Sequence, residues 1–176
     1  YFIENILCEV INLKYLFEQD EFNLYDIFWR RQLPVVKFTL KLLKNRLSRE
    51  DFVGILRIEN IDGKNIFHIN ESILADFILN FTKNSLTNDE LRELLGANDQ
   101  YNNLPLHCIA SYCSMDTLKL YLSIYEDIFT KDELKSILQL KCKYWSNIFN
   151  LVAFNPNFDS LKLLIEFTED KFGVDL

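Results

Sequence analysis

Apolar residues recur at spacings of three and four along much of the chain. Two of these runs place Leu118, Tyr121, Leu122 and Tyr125, and then Leu161, Leu164, Ile165 and Thr168, on one face of a helix. Two more, LPVVKFTLKLL from Leu33 and ILADFILNF from Ile73, have the same periodicity. Only 4 Gly and 3 Pro interrupt the 176 residues, whereas a chain of short strands needs a turn signal roughly every 8–12 residues. The pattern therefore predicts an all-α protein with short connections.

A start signal for short helices occurs three times. The segments are LSREDFVGIL from Leu47, LTNDELRELL from Leu86 and FTKDELKSIL from Phe129. In each, a Ser or Thr stands three residues before an acid, in the pairs Ser48 and Asp51, Thr87 and Glu90, and Thr130 and Glu133. This is the spacing of a capping box, in which the hydroxyl and the acid each satisfy a backbone N–H at a helix start. It predicts helices that begin near residues 49, 88 and 131.

A second sequence feature recurs at about the same spacing as the helix-start signal. An Asn precedes an apolar step in NLYDIF from Asn23, NIFHI from Asn65, NLPLHCIA from Asn103 and NIFNLVA from Asn147, at a spacing of about 40 residues. We interpret residues 1–176 as one repeat array of about four units with three helices per unit. The predicted bounds are a tail helix of a preceding unit at 1–22, then units at 23–62, 63–101, 102–144 and 145–176, the last of them partial.

The third unit contains the most specific motif. Leu104-Pro105-Leu106-His107, followed by Ala110, resembles the T-P-L-H segment of ankyrin repeats. Asn60-Ile61-Asp62-Gly63-Lys64-Asn65 resembles the family's hairpin, N-x-D-G-x-T, and it leads into Phe67-His68. Asn102 stands at the usual Gly position of the next hairpin, where Asn tolerates the left-handed conformation. The resemblance implies an ankyrin-like helical solenoid with short hairpin-like loops between its units.

The units depart from the family in length and at both ends. An ankyrin repeat has about 33 residues, whereas these units are longer because each includes the capping-box helix. The fourth unit has Trp145 at the Gly position and Asn150 at the His position, and the first has Glu21 and Asp26. Because neither end of the chain resembles a polar capping repeat, we expect the chain to be part of a longer protein.

His68 and His107 stand at equivalent positions 39 residues apart. The resemblance implies that this His ties the hairpin to the first helix through hydrogen bonds to the backbone. As a general base it lacks a nucleophile in a supporting arrangement, and the sequence has neither a Gly-rich phosphate loop nor H-E-x-x-H. We therefore predict a protein that is not an enzyme, with no catalytic residues, no cofactor and no small-molecule substrate.

The cysteines and the net charge argue against several kinds of ligand and partner. Cys8, Cys108, Cys113 and Cys142 form no C-x-x-C pair, so we expect reduced thiols and no metal site. The net charge of −7 argues against nucleic acid or an anionic membrane as partner, and no long uncharged apolar run predicts a transmembrane helix. We expect the protein to be cytoplasmic, either in the cell that makes it or after delivery into a host cell.

In ankyrin repeats the hairpin tips and the inner face of the first helices contact partners. The resemblance maps those positions to Asp62, Lys64, Gln100, Tyr101, Tyr144 and Trp145 at the tips, with Tyr112 and Phe154 on or near the inner helices. Packing against a neighbouring unit is the alternative for Tyr144 and Trp145. The function implied is that of a protein–protein interaction module. The alternative is a structural spacer or recognition arm within a larger effector or toxin.

Overall fold

The computed structural model describes residues 24–29, 32–143, 146–155 and 158–173. Within these ranges the chain forms ten α-helices and no β-strand, which confirms the all-α prediction. The helices are α1 Leu24–Phe28, α2 Leu33–Arg46, α3 Arg49–Arg57, α4 Ser72–Lys83, α5 Asn88–Leu95, α6 Pro105–Tyr112, α7 Met115–Ile128, α8 Lys131–Gln139, α9 Ile148–Phe154 and α10 Phe158–Phe172. The predicted tail helix at 1–22 lies outside the described residues.

The chain divides into two compact units, Tyr1–Ile66 and Phe67–Leu176. In the first unit, α2 packs on α3, and the buried side chains of these two helices include Val36, Leu40, Phe52 and Leu56. Because these residues recur at helical spacing, each helix has one apolar face and one solvated face.

The three predicted short helices begin at Arg49, Asn88 and Lys131, which confirms the start signals. At α5, Thr87 Oγ1 accepts from the Glu90 N–H at 3.3 Å and the Glu90 carboxylate accepts from the Thr87 N–H at 2.7 Å. Thr130 and Glu133 make the same two bonds at α8, at 3.4 and 2.9 Å. These bonds satisfy N–H groups that have no partner within the helix.

The segment after Asn65 forms a single 3₁₀ turn, Ile66–His68, so the three-helix prediction is wrong at this place. A longer helix does not fit here because the next helix, α4, already begins at Ser72. The Glu71 carboxylate caps α4 by accepting from the Ile73 and Leu74 N–H groups at 3.2 and 2.8 Å. The equivalent α6 in the following repeat has eight residues before its own C-cap.

In the second compact unit, α7 lies at the centre and contacts α4, α5, α6, α8 and α10. The inner helices α6 and α9 pack on each other. Tyr121 and Tyr125 of α7 are fully buried, and the Tyr125 hydroxyl donates to the Leu95 carbonyl at 2.6 Å. Helices of like position in successive repeats are therefore neighbours in this unit.

Candidate partner-binding surface

Five-residue turns precede the inner helices. The N–H of the first residue donates to the carbonyl of the fifth, from Asn60 to Lys64 at 3.0 Å and from Asp99 to Asn103 at 2.9 Å. Gly63 and Asn102 both have left-handed backbone, with φ of 74° and 62°. The prediction that Asn102 takes the Gly role is confirmed. Cys142 and Ser146 close a third turn at 2.9 Å.

The side chain of the first residue holds the turn from inside. Asn60 Oδ1 accepts from the N–H groups of Asp62 and Lys64, at 3.0 and 2.9 Å. Asp99 Oδ1 accepts from those of Tyr101 and Asn103, both at 2.8 Å. Because one side-chain oxygen fixes two backbone N–H groups, each of these two turns is held in one backbone conformation.

The predicted tip residues of the first turn are only partly exposed. Asp62 and Lys64 are half-buried, and the Lys64 ammonium lies 5.5 Å from the centre of the Tyr25 ring. The exposed residue is Ile61, at 96%. The repeat motif did not indicate it because Ile61 occupies the variable position of N-x-D-G. A large apolar residue at that position was the available signal.

The second turn contacts the third. The Lys143 N–H donates to the Tyr101 carbonyl at 2.7 Å, and the Lys143 ammonium lies 5.1 Å from the centre of the Tyr101 ring. Asn102 Nδ2 donates to the Lys141 carbonyl at 2.8 Å. Tyr101 is therefore half-buried beside the next turn, while Gln100 is exposed. Tyr144 and Trp145, the other two predicted tip residues, lie outside the described residues.

Both histidines bond to the backbone of the next turn region along the chain. His68 Nε2 is 3.2 Å from the Asn103 carbonyl, and His107 Nε2 is 3.3 Å from the Leu140 carbonyl. The Leu104 N–H donates to His107 Nδ1 at 3.2 Å. Burial lowers the pKa of His107, although the Leu140 carbonyl acts in the opposite direction. The predicted hydrogen bonding of these rings to backbone is confirmed, but the Nε2 partners lie in the next turn region and not in the hairpin that precedes each histidine.

Three large apolar side chains at the ends of neighbouring helices are mostly exposed. They are Ile73 at 60%, Tyr112 at 69% and Phe154 at 85%, and we call them the apolar row. The sequence predicted Tyr112 and Phe154 but not Ile73, because Ile73 lies within the apolar run of α4. The buried α4 residues Leu74, Ala75, Ile78 and Leu79 define a face to which Ile73 does not belong.

Hydrogen bonds hold the residues beside the apolar row together. The Ser114 N–H donates to Ser72 Oγ at 2.9 Å, which joins the start of α4 to the connection between α6 and α7. Asn155 Nδ2 donates to the Ala110 and Cys113 carbonyls at 3.1 and 3.2 Å, which joins the end of α9 to the end of α6. Each residue of the apolar row is therefore close in sequence to a residue that is hydrogen-bonded to a neighbouring helix or connection.

Acidic residues flank this surface. Glu71 precedes α4, Asp116 lies in the first turn of α7 and Asp159 in the first turn of α10, and all three are exposed. Carboxylates at these places are stabilised by the positive ends of the helix dipoles. The result is an apolar surface with negative charge at its edge.

The described ranges contain three cysteines, and their acidic and metal-ligating side chains bear on whether a metal could be held. No group of three or more His, Cys, Asp or Glu residues there is arranged to hold a metal. Burial raises the pKa of Cys113 to about 12, so its thiol is protonated at neutral pH and is a poor nucleophile. Cys108, Cys113 and Cys142, the cysteines within the described ranges, form no disulfide bond. None of the described helices has the length and apolar character needed to cross a membrane.

Comparisons with known protein families, curated proteins and solved structures found no match. A scan against protein-family models gives no match. Searches of curated proteins and of solved structures give no match either. Any function proposed for this chain therefore rests on its own residues and their geometry.

Proposed function

We propose that this chain is a protein–protein interaction module of the ankyrin type that binds its partner through the apolar row. The observation that carries the proposal is the exposure of Tyr112 and Phe154 on neighbouring inner helices, with Ile73 beside them. Large apolar side chains clustered on a surface mark binding sites, and aromatic residues supply most of the energy at such interfaces.

Recurrence of the local structure supports the ankyrin-like part of the proposal. The same turn closure occurs at Asn60, Asp99 and Cys142, and His68 and His107 make equivalent bonds 39 residues apart. The pairing of α6 with α9 and of α7 with α4 and α10 is the neighbour packing expected of a repeat array. Successive inner helices then present one continuous face to a partner.

The chemistry of the face indicates the kind of protein it binds. The apolar row forms the centre, and Glu71 and Asp116 lie at the edge. A partner with apolar side chains surrounded by Lys or Arg is complementary to it. The turn residues Gln100, Tyr101, Asp62 and Lys64, with Tyr144 and Trp145, are proposed as further contacts.

A double variant tests the proposal. Tyr112→Ala with Phe154→Ala is expected to weaken binding of a partner purified with the native chain by at least about 2 kcal/mol, because both side chains are anchors of the interface. Phe38→Ala on α2 removes another exposed aromatic residue and is the matched control. The measurement is titration of the purified partner by calorimetry, with circular dichroism to confirm folding.

Equal affinity of the native chain and the double variant would contradict the binding role of the row. If no protein is retained by either chain or by the control, the alternative of a structural spacer within a larger effector or toxin is favoured.

A further inference from the structure

The two helices that bear the aromatic residues of the apolar row carry no charged side chains on their exposed faces. Helices α6 and α9 contain no Asp, Glu, Lys or Arg, and His107 of α6 is buried. Next to Tyr112 and Phe154 stand the small residues Ser111, which is half-buried, and Ala153, which is exposed. A large apolar surface can therefore approach both aromatic rings without removing a charge of these helices from water.

Acids repeat beside the apolar row, at the start of each following helix. Asp116 and Asp159, in the first turns of α7 and α10, are 43 residues apart, and these two helices contact each other. Glu71 has the corresponding place before α4, which contacts α7. Burial raises the pKa of Asp76, and the negative charges of Asp116 and Glu71 raise it further. A cation placed at this edge relieves the repulsion between these carboxylates.

The distance between repeats determines the spacing of the contacts that a partner can make. Tyr112 and Phe154 are the last residues of α6 and α9, two helices that pack on each other. Packed helices lie about 8–10 Å apart. Because an α-helix rises about 1.5 Å per residue, about seven residues cover this distance, and they complete about two turns and return to the same face. Residues at that interval on one helix therefore meet Tyr112 and Phe154 in turn.

Polar groups beside the row are already bonded within the chain. Ser111 Oγ donates to the His107 carbonyl at 2.8 Å, and Asn155 Nδ2 donates to two carbonyls at the end of α6 at 3.1 and 3.2 Å. The Ser114 N–H donates to a side chain of α4 at 2.9 Å. An extended partner backbone laid on this surface would have N–H and C=O groups buried without hydrogen bonds, which is unfavourable. A helix satisfies these groups within itself.

We propose that the partner binds through one amphipathic α-helix, which lies across the ends of α6 and α9. Its apolar residues contact the apolar row, and its Lys or Arg side chains lie toward Glu71 and Asp116. This inference rests on the proposed function and specifies the occupant of that surface as a helix of a separate protein. The apolar residues of this helix recur about every seven positions, and its basic residues recur at the same interval along the acidic edge.

The test uses a stapled, fluorescein-labelled helical peptide with three leucines about seven residues apart on one face and lysines along one side of that face. The full chain is titrated into it, and binding is followed by fluorescence anisotropy. Saturable binding is expected. Three comparison peptides are each expected to bind at least tenfold more weakly. The first has its leucines spread around the helix, the second has a central proline and no staple, and the third has glutamates in place of the lysines.

Charge reversal on the protein tests the orientation of the bound helix. Asp116→Lys is expected to weaken binding of the lysine peptide at least fivefold and to strengthen binding of the glutamate peptide, because the charge facing the peptide changes sign. Asp132→Lys makes the same change in the first turn of α8, outside the acidic edge, and is the matched control for net charge. Tyr112→Ala is expected to weaken binding of the lysine peptide at least tenfold. Circular dichroism establishes that each variant is folded.

Absence of saturable binding by the helical peptide, or equal binding by the peptide with spread leucines, would overturn the proposal. Equal effects of Asp116→Lys and Asp132→Lys would overturn the placement of the basic residues. If the helical peptide fails to bind while Tyr112→Ala with Phe154→Ala still abolishes binding of the purified partner, the proposed function stands and the helical occupant is wrong. If the double variant retains that partner, the proposed function itself fails.

Discussion

The Leu104 N–H donates to Nδ1 of His107 at 3.2 Å, so the imidazole proton is on Nε2, which faces the Leu140 carbonyl at 3.3 Å. One neutral ring therefore caps the first turn of α6 and binds the backbone 33 residues further along the chain. Asn150 makes the capping half of this arrangement at α9, where its Oδ1 accepts from the Asn147 N–H at 3.1 Å.

Two different substitutions of His107 separate the contributions of its two hydrogen bonds to stability. His107→Ala removes both and is expected to lower the free energy of unfolding by about 1–3 kcal/mol, because the part-buried Leu140 carbonyl loses its donor. His107→Asn keeps the capping bond, as Asn150 does, and is expected to lose less. Urea unfolding followed by circular dichroism measures both variants. Equal losses would show that the capping bond contributes nothing.

The stability contributed by His107 depends on pH. Because burial lowers its pKa below the ordinary 6.5, the unfolded chain binds this proton more readily than the folded chain. The contribution is fully present above pH 6.5 and is lost as the pH falls through the lower, folded pKa. Between pH 7 and pH 5 the native chain should lose more stability than His107→Asn. If the urea midpoints of the native chain and of His107→Asn change equally with pH, the proposed role of His107 in this pH dependence is wrong.

The Asp76 carboxyl makes the stability of the protein depend on pH in the opposite direction to His107. It is half-buried, its Oδ1 is buried and accepts no hydrogen bond, and burial is the main cause that raises its pKa above 3.8. Stability linked to this group is present at acidic pH and is lost as the pH rises through the folded pKa. Asp76→Asn should therefore raise the melting temperature at pH 7 and change it less at pH 4. Destabilisation at pH 7 is the contrary outcome.

Leu106 tests the packing between repeats. Its side chain is fully buried in α6, the helix that contacts α9 and α7. Leu106→Ala is expected to lower the free energy of unfolding by about 2–5 kcal/mol, through lost burial and the cavity left behind. The exposed Ile73→Ala should change it by less than about 0.5 kcal/mol. Chemical denaturation of the two variants under one condition gives the comparison.

Local signals made much of the fold predictable. The pairs Thr87 with Glu90 and Thr130 with Glu133 act within one turn of helix, so the sequence alone located the starts of α5 and α8. Left-handed backbone at Asn102 was predictable for the same reason. The 3₁₀ turn at Ile66–His68 was not, because its length depends on how soon Glu71 caps the next helix.

Exposure was harder to predict than helix position. Periodicity finds an apolar face, but Ile73 lies inside an apolar run and Ile61 in a loop, and neighbouring helices decide which side chains remain uncovered. The bond from His107 to the Leu140 carbonyl joins residues 33 apart, and neither the periodicity nor the repeat motif indicated that partner.

The binding role of the apolar row is tested most directly by placing a photo-crosslinking benzoylphenylalanine at position 112, 154 or 38 of the native chain and irradiating it in cells that contain the partner. We predict one crosslinked protein shared by positions 112 and 154, not formed at position 38, and reduced when Ile73→Glu is added. Identical products at all three positions, or products at position 38 alone, would contradict the assignment of the apolar row as the binding surface.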